Sequence, residues 1–182
     1  APHADYLVLN VSSPNTPGLR TLQDAGPIRD MVQAIRAVEP LKPILLKLAP
    51  DLAKAEFLEL VSQAPELGLA GLILTNTTID RSMLTNDPGE AGGLSGRPLR
   101  AMAQRAIVAA RDVVPLDYPL IGVGGLFTGE DVLERMKAGA NLVQLYSGWV
   151  YGGPATCARI LIDILRELDR SQAPTLADWA RS

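Results

Sequence analysis

The sequence predicts an α/β fold made of repeated strand–loop–helix units, and three observations carry that reading. Five short apolar runs recur along the 182 residues, each ends in a polar or glycine-rich loop, and the intervening segments carry apolar residues at helical spacing. The runs are Tyr6 to Val11, Ile44 to Leu48, Gly71 to Leu74, Leu120 to Val123 and Leu142 to Leu145. They are rich in Val, Ile and Leu, as expected of parallel strands whose two faces are both covered.

The first run, with Val8, Leu9 and Val11, ends in a Ser-Pro-Asn-Thr-Pro-Gly loop stiffened by Pro14 and Pro17. That loop gathers Asn10, Ser12, Ser13 and Asn15 at one strand end, a set suited to a small polar ligand or simply to a polar turn. Pro27 to Val38 then carries Ile28, Met31, Val32 and Ile35, an i, i+3, i+4, i+7 helical stripe. Lys47 interrupts the second strand. A charge inside such a run is costly to bury alone, so its ammonium either snorkels to water or faces an anionic ligand or cofactor. Ala53 to Ala64 is the next helix, with Phe57, Leu58, Leu60 and Val61.

Thr75-Asn76-Thr77-Thr78 follows the third strand, where these side chains can cap the following backbone or repeat the polar cluster of the first loop. A charged excursion from Asp80 to Ala91 leads to Gly92-Gly93-Leu94-Ser95-Gly96, whose glycines permit close backbone approach to a ligand. The helix from Leu99 to Val113 carries Met102, Ile107 and Val108. Gly122-Val123-Gly124-Gly125 ends the fourth strand, and Thr128 and Gly129 open a helix over Glu130 to Ala138 with Val132, Leu133 and Met136. Glycine amides beside a helix start suit a phosphate. Tyr146-Ser147-Gly148 repeats the arrangement after the fifth strand, and Ala155 to Leu168 closes the series with Ile160, Leu161, Ile164 and Leu165.

A doubly wound sheet and a (βα)8 barrel both fit this alternation, and both keep polar residues at strand ends. Two adjacent glycine-containing strand ends at the close of the series match the phosphate grip of many barrels, which favours the TIM-type (βα)8 barrel. Five units cannot close eight strands, so the chain is expected to form the C-terminal part of one barrel domain over residues 1–170, with 171–182 as a tail. The start, adjoining a strand and lacking an initiator methionine, fits a fragment of a longer protein better than a truncated gene product.

Composition narrows the function. At 47% hydrophobic and 20% charged, the chain reads as an ordinary globular protein with one core. A net charge of −3 with scattered basic residues points away from nucleic acid. The single cysteine, Cys157, excludes an internal disulfide or a multi-cysteine metal site, and is expected to pack as a small hydrophobe in the last helix. The sole histidine, His3, makes a histidine triad or zinc centre hard to build, and no metal is expected. No apolar run approaches the roughly 20 residues that span a bilayer.

Taken in order, the motifs resemble the quinone-linked, class 2 dihydroorotate dehydrogenases, flavin enzymes of pyrimidine (UMP) synthesis built on a (βα)8 barrel. The matching residues are Asn10 to Arg20, Lys47 with Ala49-Pro50-Asp51, Thr75 to Thr78, Gly92 to Leu99, Gly122 to Gly125 and Leu142 to Gly148, within a likeness running from about residue 6 to about 165. The resemblance implies that Ser13 is the base that takes a proton from C5 of dihydroorotate while C6 passes hydride to FMN. It implies substrate contacts from Asn10, Asn15, Asn76 and Thr77, and FMN contacts from Asn10, Lys47, Thr75, Gly96, Gly125, Tyr146 and Ser147.

The chemistry of these residue types agrees. A flat ring with a carboxylate and imide groups needs partners that both donate and accept, as Asn does. Lys47 would stabilise charge on a reduced isoalloxazine. A hydroxyl is a weak base at neutral pH, however, and no histidine is available to activate Ser13. Serine rather than cysteine at position 13 argues against the soluble class 1 enzymes and dihydropyrimidine dehydrogenase domains. The alternative from another class is an inactive barrel remnant that binds a phosphate-bearing ligand or nothing. The resemblance further implies a membrane quinone as acceptor and a peripheral site on the cytoplasmic side of the cell membrane, through an N-terminal region that has no counterpart here. The 182 residues alone are expected to dissolve poorly, self-associate or lose FMN.

Overall fold

The computed structural model describes residues 3–15, 18 and 22–181. Thr16, Pro17, Leu19 and Arg20 of the first loop motif lie outside them. The order is β1 (Leu7–Asn10), α1 (Ala25–Val38), β2 (Ile44–Leu48), α2 (Lys54–Gln63), β3 (Gly71–Leu74), α3 (Arg100–Arg111), β4 (Leu120–Val123), α4 (Gly129–Lys137), β5 (Leu142–Gln144), α5 (Ser147–Gly152), α6 (Thr156–Ser171) and α7 (Leu176–Arg181). A 3-10 turn at Arg97–Leu99 leads into α3.

The five strands pair in sequence order, β1-β2-β3-β4-β5, all parallel. Right-handed crossovers between sequential neighbours put every connecting helix on the same face of the sheet. A doubly wound sheet requires the strand order to reverse. Sequential order with one-sided helices is therefore an arc of a (βα) barrel.

Period-two alternation sorts the strand residues between two faces. Ile44, Leu46, Leu48, Leu72, Leu74 and Leu120 point to the helical layer, where they join Ile28, Val32, Phe57, Leu60, Val61 and Ile107 in the main core. Burying each such side chain contributes about 1.5–3 kcal/mol. On the other, concave face Leu45, Ile73 and Ile121 make a second, small cluster with Val123. Asn10 pairs with Lys47 in register, and Lys47 with Ile73, so both polar residues fall on this concave face.

Several sequence expectations are corrected here. Coverage on both faces holds for β2, β3 and β4 but not for the outer strands, since Val8 and Leu142 are exposed. In α3 the buried face is Ala103, Ile107 and Ala110, while Val108 faces solvent, because closely packed helix and strand leave room for alanine there. In α6 only Ile160 and Ile164 of the predicted stripe are buried, and Leu161 and Leu165 are exposed. Cys157 is likewise exposed on the first turn of α6, not packed.

Helix α4 starts as its sequence dictates. Thr128 accepts from the Asp131 amide, and the Asp131 carboxylate accepts from the Thr128 amide, completing a capping box. The tail forms α7, whose buried Trp179 lies under the Lys137 ammonium, 4.3 Å from ring centre to Nζ, and donates its indole N–H to Glu167 at 3.2 Å.

Candidate active site

The C-terminal tips of β1 to β5 meet at one rim, and the polar residues there fall into two adjoining groups. The first is a cluster of amides and hydroxyls. Asn76 Nδ2 donates to Asn10 Oδ1 at 3.1 Å and to Ser12 Oγ at 3.0 Å, and Ser12 Oγ donates to Asn10 Oδ1 at 3.1 Å. This triangle joins the tip of β1 to the tip of β3 across β2. The Asn76 side chain also accepts from the Thr77 amide at 2.8 Å, and its own backbone N–H donates to Leu48 at 2.8 Å. Asn76 is held from three sides, so its amide is oriented before any ligand arrives.

Ser13 and Asn15 sit on the loop beside this cluster. The Ser13 hydroxyl accepts from the Asn15 amide at 3.3 Å, a short turn closed by its own side chain. The Gly92–Gly93 segment folds onto that loop. A Cβ at Gly93 would stand 1.8 Å from Thr77 Oγ1 and 2.9 Å from Pro14, and one at Gly92 would stand 3.3 Å from Asn15 Oδ1. Glycine here lets the loop after β3 close over the loop after β1. Asp51 secures the same region from below, its carboxylate accepting from the Thr78 hydroxyl and from the Ile79 amide at 3.3 Å.

The second group lines a pocket over β2 to β5. Lys47, Thr75, Asn76, Thr77, Gly96, Gly125, Tyr146 and Ser147 all border it, so eight of the sequence-predicted positions converge on one cavity. Asn10 joins them through Asn76, whereas Ser13 and Asn15 do not line the pocket. The half-buried Lys47 has no hydrogen bond or ion pair among the described residues, and burial draws its ammonium pKa below the ordinary value. A partially desolvated cation without a counter-charge is a standing attraction for an anion.

Opposite Lys47, the far wall of the pocket is backbone. Gly124 and Gly125 hold φ of +118° and +72°, conformations that side chains disfavour, and a Cβ on Gly125 would stand 2.8 Å from the Arg100 amide. Ser147 and Ser95 exchange a hydroxyl hydrogen bond at 2.9 Å, linking this wall to the Gly96 loop. Gly148 packs against the Leu126 carbonyl, which a Cβ would approach to 2.1 Å. Two buried charges stiffen the wall from behind. Asp131 accepts from the Phe127 and Thr128 amides at 2.8 and 3.0 Å and pairs with Arg100 at 2.9 Å. Arg135 lies fully buried, with burial first and the Arg100 charge second pushing its pKa down to about 10.

Sequence reasoning passed over Gln144 and Arg135 as site residues, and it counted Ser12 in the first loop's polar set without giving it a role of its own. Ser12 is the buried one of two consecutive serines, and nothing in the composition separates them. Gln144 borders the pocket as the polar last residue of β5. Arg135 carries a readable signal, because it stands at i+3 from Val132 and beside Met136 on the buried stripe of α4. Among the described residues no group of His, Cys, Asp and Glu could hold a metal ion. No helix among them is long and apolar enough to cross a membrane.

Comparison with known proteins places the chain. The family described as Dihydroorotate dehydrogenase matches residues 1–168. The protein named Dihydroorotate dehydrogenase (quinone) from Synechococcus elongatus is 44% identical over 95% of this chain and 48% of its own length. Its namesake from Prochlorococcus marinus is 46% identical over 93% of this chain and 46% of its own. Crystal structures of DHODH from Eimeria tenella, in complex with ferulenol and ligand-free, superpose with a TM-score of 0.89 at 36% identity, covering 97% of this chain. They are covered to 53% and 55%. The chain thus spans about half the length of the relatives it matches. It belongs to the dihydroorotate dehydrogenase family.

Proposed function

We propose that this member of the dihydroorotate dehydrogenase family supplies the FMN- and substrate-binding strand tips of a quinone-linked enzyme that oxidises dihydroorotate to orotate. The observation that carries this reading is the convergence of Lys47, Thr75, Asn76, Gly125 and Ser147 on one pocket beside the Asn10–Ser12–Asn76 cluster. The residues fit FMN. The Gly124–Gly125 turn is a cradle that a Cβ would obstruct, suited to a phosphate, and Lys47 offers an unpaired cation for an electron-rich ring. FMN bound there supplies a two-electron acceptor for hydride.

The chain's own residues do the remaining work. Asn10 and Asn76, fixed to one another, present amide donors and acceptors to the carboxylate and imide groups of a pyrimidine acid. Thr77 and Asn15, brought together by the Gly92–Gly93 segment, close the substrate side. Ser13 Oγ takes the proton from C5. As it does so its own hydroxyl proton passes to solvent, and the hydrogen bond that Oγ accepts from the Asn15 amide stabilises the alkoxide character this loss creates. The quinone acceptor is suggested by the relatives' name, and attachment to the cytoplasmic membrane surface, where a membrane quinone would be met, is proposed with it.

The test is a single turnover. Native protein purified with FMN should bleach in the visible when dihydroorotate is added without oxygen. Ser13→Ala should keep its colour and bleach about 10²–10⁴-fold more slowly. A coloured native protein that dihydroorotate does not bleach would overturn the reading, and an unslowed Ser13→Ala would overturn the assignment of the base.

A further inference from the structure

We infer that Arg135, on the outer side of the sheet, is a positioning residue that holds the Gly124–Gly125 peptide with its N–H turned to the pocket, and so sets the preference for a phosphorylated flavin. The inference rests on the FMN reading above.

The guanidinium is an anchor between both walls of the pocket. Arg135 Nη2 donates to the Gly124 carbonyl at 3.0 Å and to the Arg100 carbonyl at 3.3 Å, and Nε donates to Gln104 Oε1 at 2.7 Å. Arg100 follows directly on the turn that carries the Gly96 wall, so one cation ties that wall to the tip of β4. Arg135 does not border the pocket itself. Its influence passes through the peptide it holds. A trans peptide directs its C=O and N–H in opposite directions, and the only cis bond among the described residues is Leu74–Thr75. With the Gly124 carbonyl drawn outward onto Arg135, the Gly125 N–H faces the opposite way, toward the cavity that both glycines line. That N–H donates to no group among the described residues.

The cost of this arrangement argues that it is not incidental packing. Arg135 is wholly buried, its Nη1 has no partner among the described residues, and the Arg100 charge beside it is only partly offset by Asp131 and Glu134, so its pKa stays lowered. A buried cation whose N–H groups are only partly satisfied is costly to a fold. The strand is cut to admit it. A Cβ at Gly122 would stand 2.6 Å from Arg135 Cγ, so glycine in the middle of β4 makes room for the arginine stem. A cation bonded to a carbonyl also polarises that peptide, strengthening the N–H on its other side as a donor to an anion.

Paired titrations of FMN and riboflavin, followed by flavin fluorescence on native protein and variants, separate this role from a purely structural one. Native protein should prefer FMN. Arg135→Met should cut the FMN-to-riboflavin affinity ratio about tenfold or more, leaving riboflavin binding within about twofold. Gly122→Ala, which displaces the same side chain without removing it, should lower the ratio in the same direction, and Arg135→Lys should lose less than Arg135→Met. An unchanged ratio in folded Arg135→Met, or equal weakening of both flavins, overturns the inference. Native protein that binds the two flavins alike instead overturns the phosphate site on which it rests.

Discussion

Half-burial of Lys47 without a counter-ion disfavours its charged form, so folding and ligand binding pull on this residue in opposite directions. Its folded pKa lies below the unfolded value, near 10.4. Well below the folded pKa both states hold the proton, and the native state carries a constant penalty. Stability rises as pH climbs from the lowered folded pKa toward the unfolded one, because the unfolded chain then binds more protons. Lys47→Met should therefore raise the ligand-free melting temperature at neutral pH by about 2 °C and abolish the alkaline rise, while weakening FMN binding. Thermal scans across pH check this, and an unchanged or lower melting temperature contradicts it. At this scale the sequence was informative wherever a charge broke an apolar run or the run ended in a polar or glycine-rich loop. Lys47, Asn76 and Gly125 could be read that way, and all three line the pocket. Ser12 was legible only as one of the first loop's polar set, because the choice between it and Ser13 depends on which one the loop turns inward. Arg135 was hidden for a different reason. It bears on the pocket through a backbone carbonyl, an interaction that leaves no side-chain signature at the site.

Among the elements, β2, β3 and β4 match their expected spans, and the long helices lie within two residues of theirs at most ends. The short helices α5 and α7 were not legible. Ser147 to Gly152 contains two glycines in six residues, too few positions to show a period and too little propensity to suggest a helix. Helix α7 is likewise six residues, and its docking depends on Trp179 reaching Lys137 and Glu167 on two other helices. That makes Trp179 the anchor of the tail. Trp179→Ala should cost about 3 kcal/mol and expose 172–181 to limited proteolysis. Resistance equal to that of the native protein would show that α7 is held by something else. The half-buried stripes of α3 and α6 point the same way: apolar spacing locates a helix, but the width of its buried face is set by neighbours the sequence does not display.

For the molecule as a whole, the described residues bury both faces of β2, β3 and β4 but leave the outer strands β1 and β5 without cover. Val8 and Leu142 stand exposed there, and Leu161 and Leu165 on α6. Unpaired strand edges with apolar side chains promote association. The isolated 182 residues should elute in size-exclusion chromatography at a volume that depends on concentration, and Leu142→Lys should reduce that dependence. A concentration-independent monomer would contradict this. In the sequence the barrel assignment rested on the two adjacent glycine-containing strand ends and the family resemblance, and the structure decides it through something no local pattern contains, the uninterrupted β1-β2-β3-β4-β5 order.

A crystal structure of the native protein with FMN and orotate tests the central claim most directly. The account predicts the FMN phosphate on the Gly125 amide and Ser147, the flavin ring against Lys47, and orotate hydrogen-bonded to Asn10 and Asn76 within reach of Ser13. Electron density for either molecule away from the tips of β1 to β5 would contradict it.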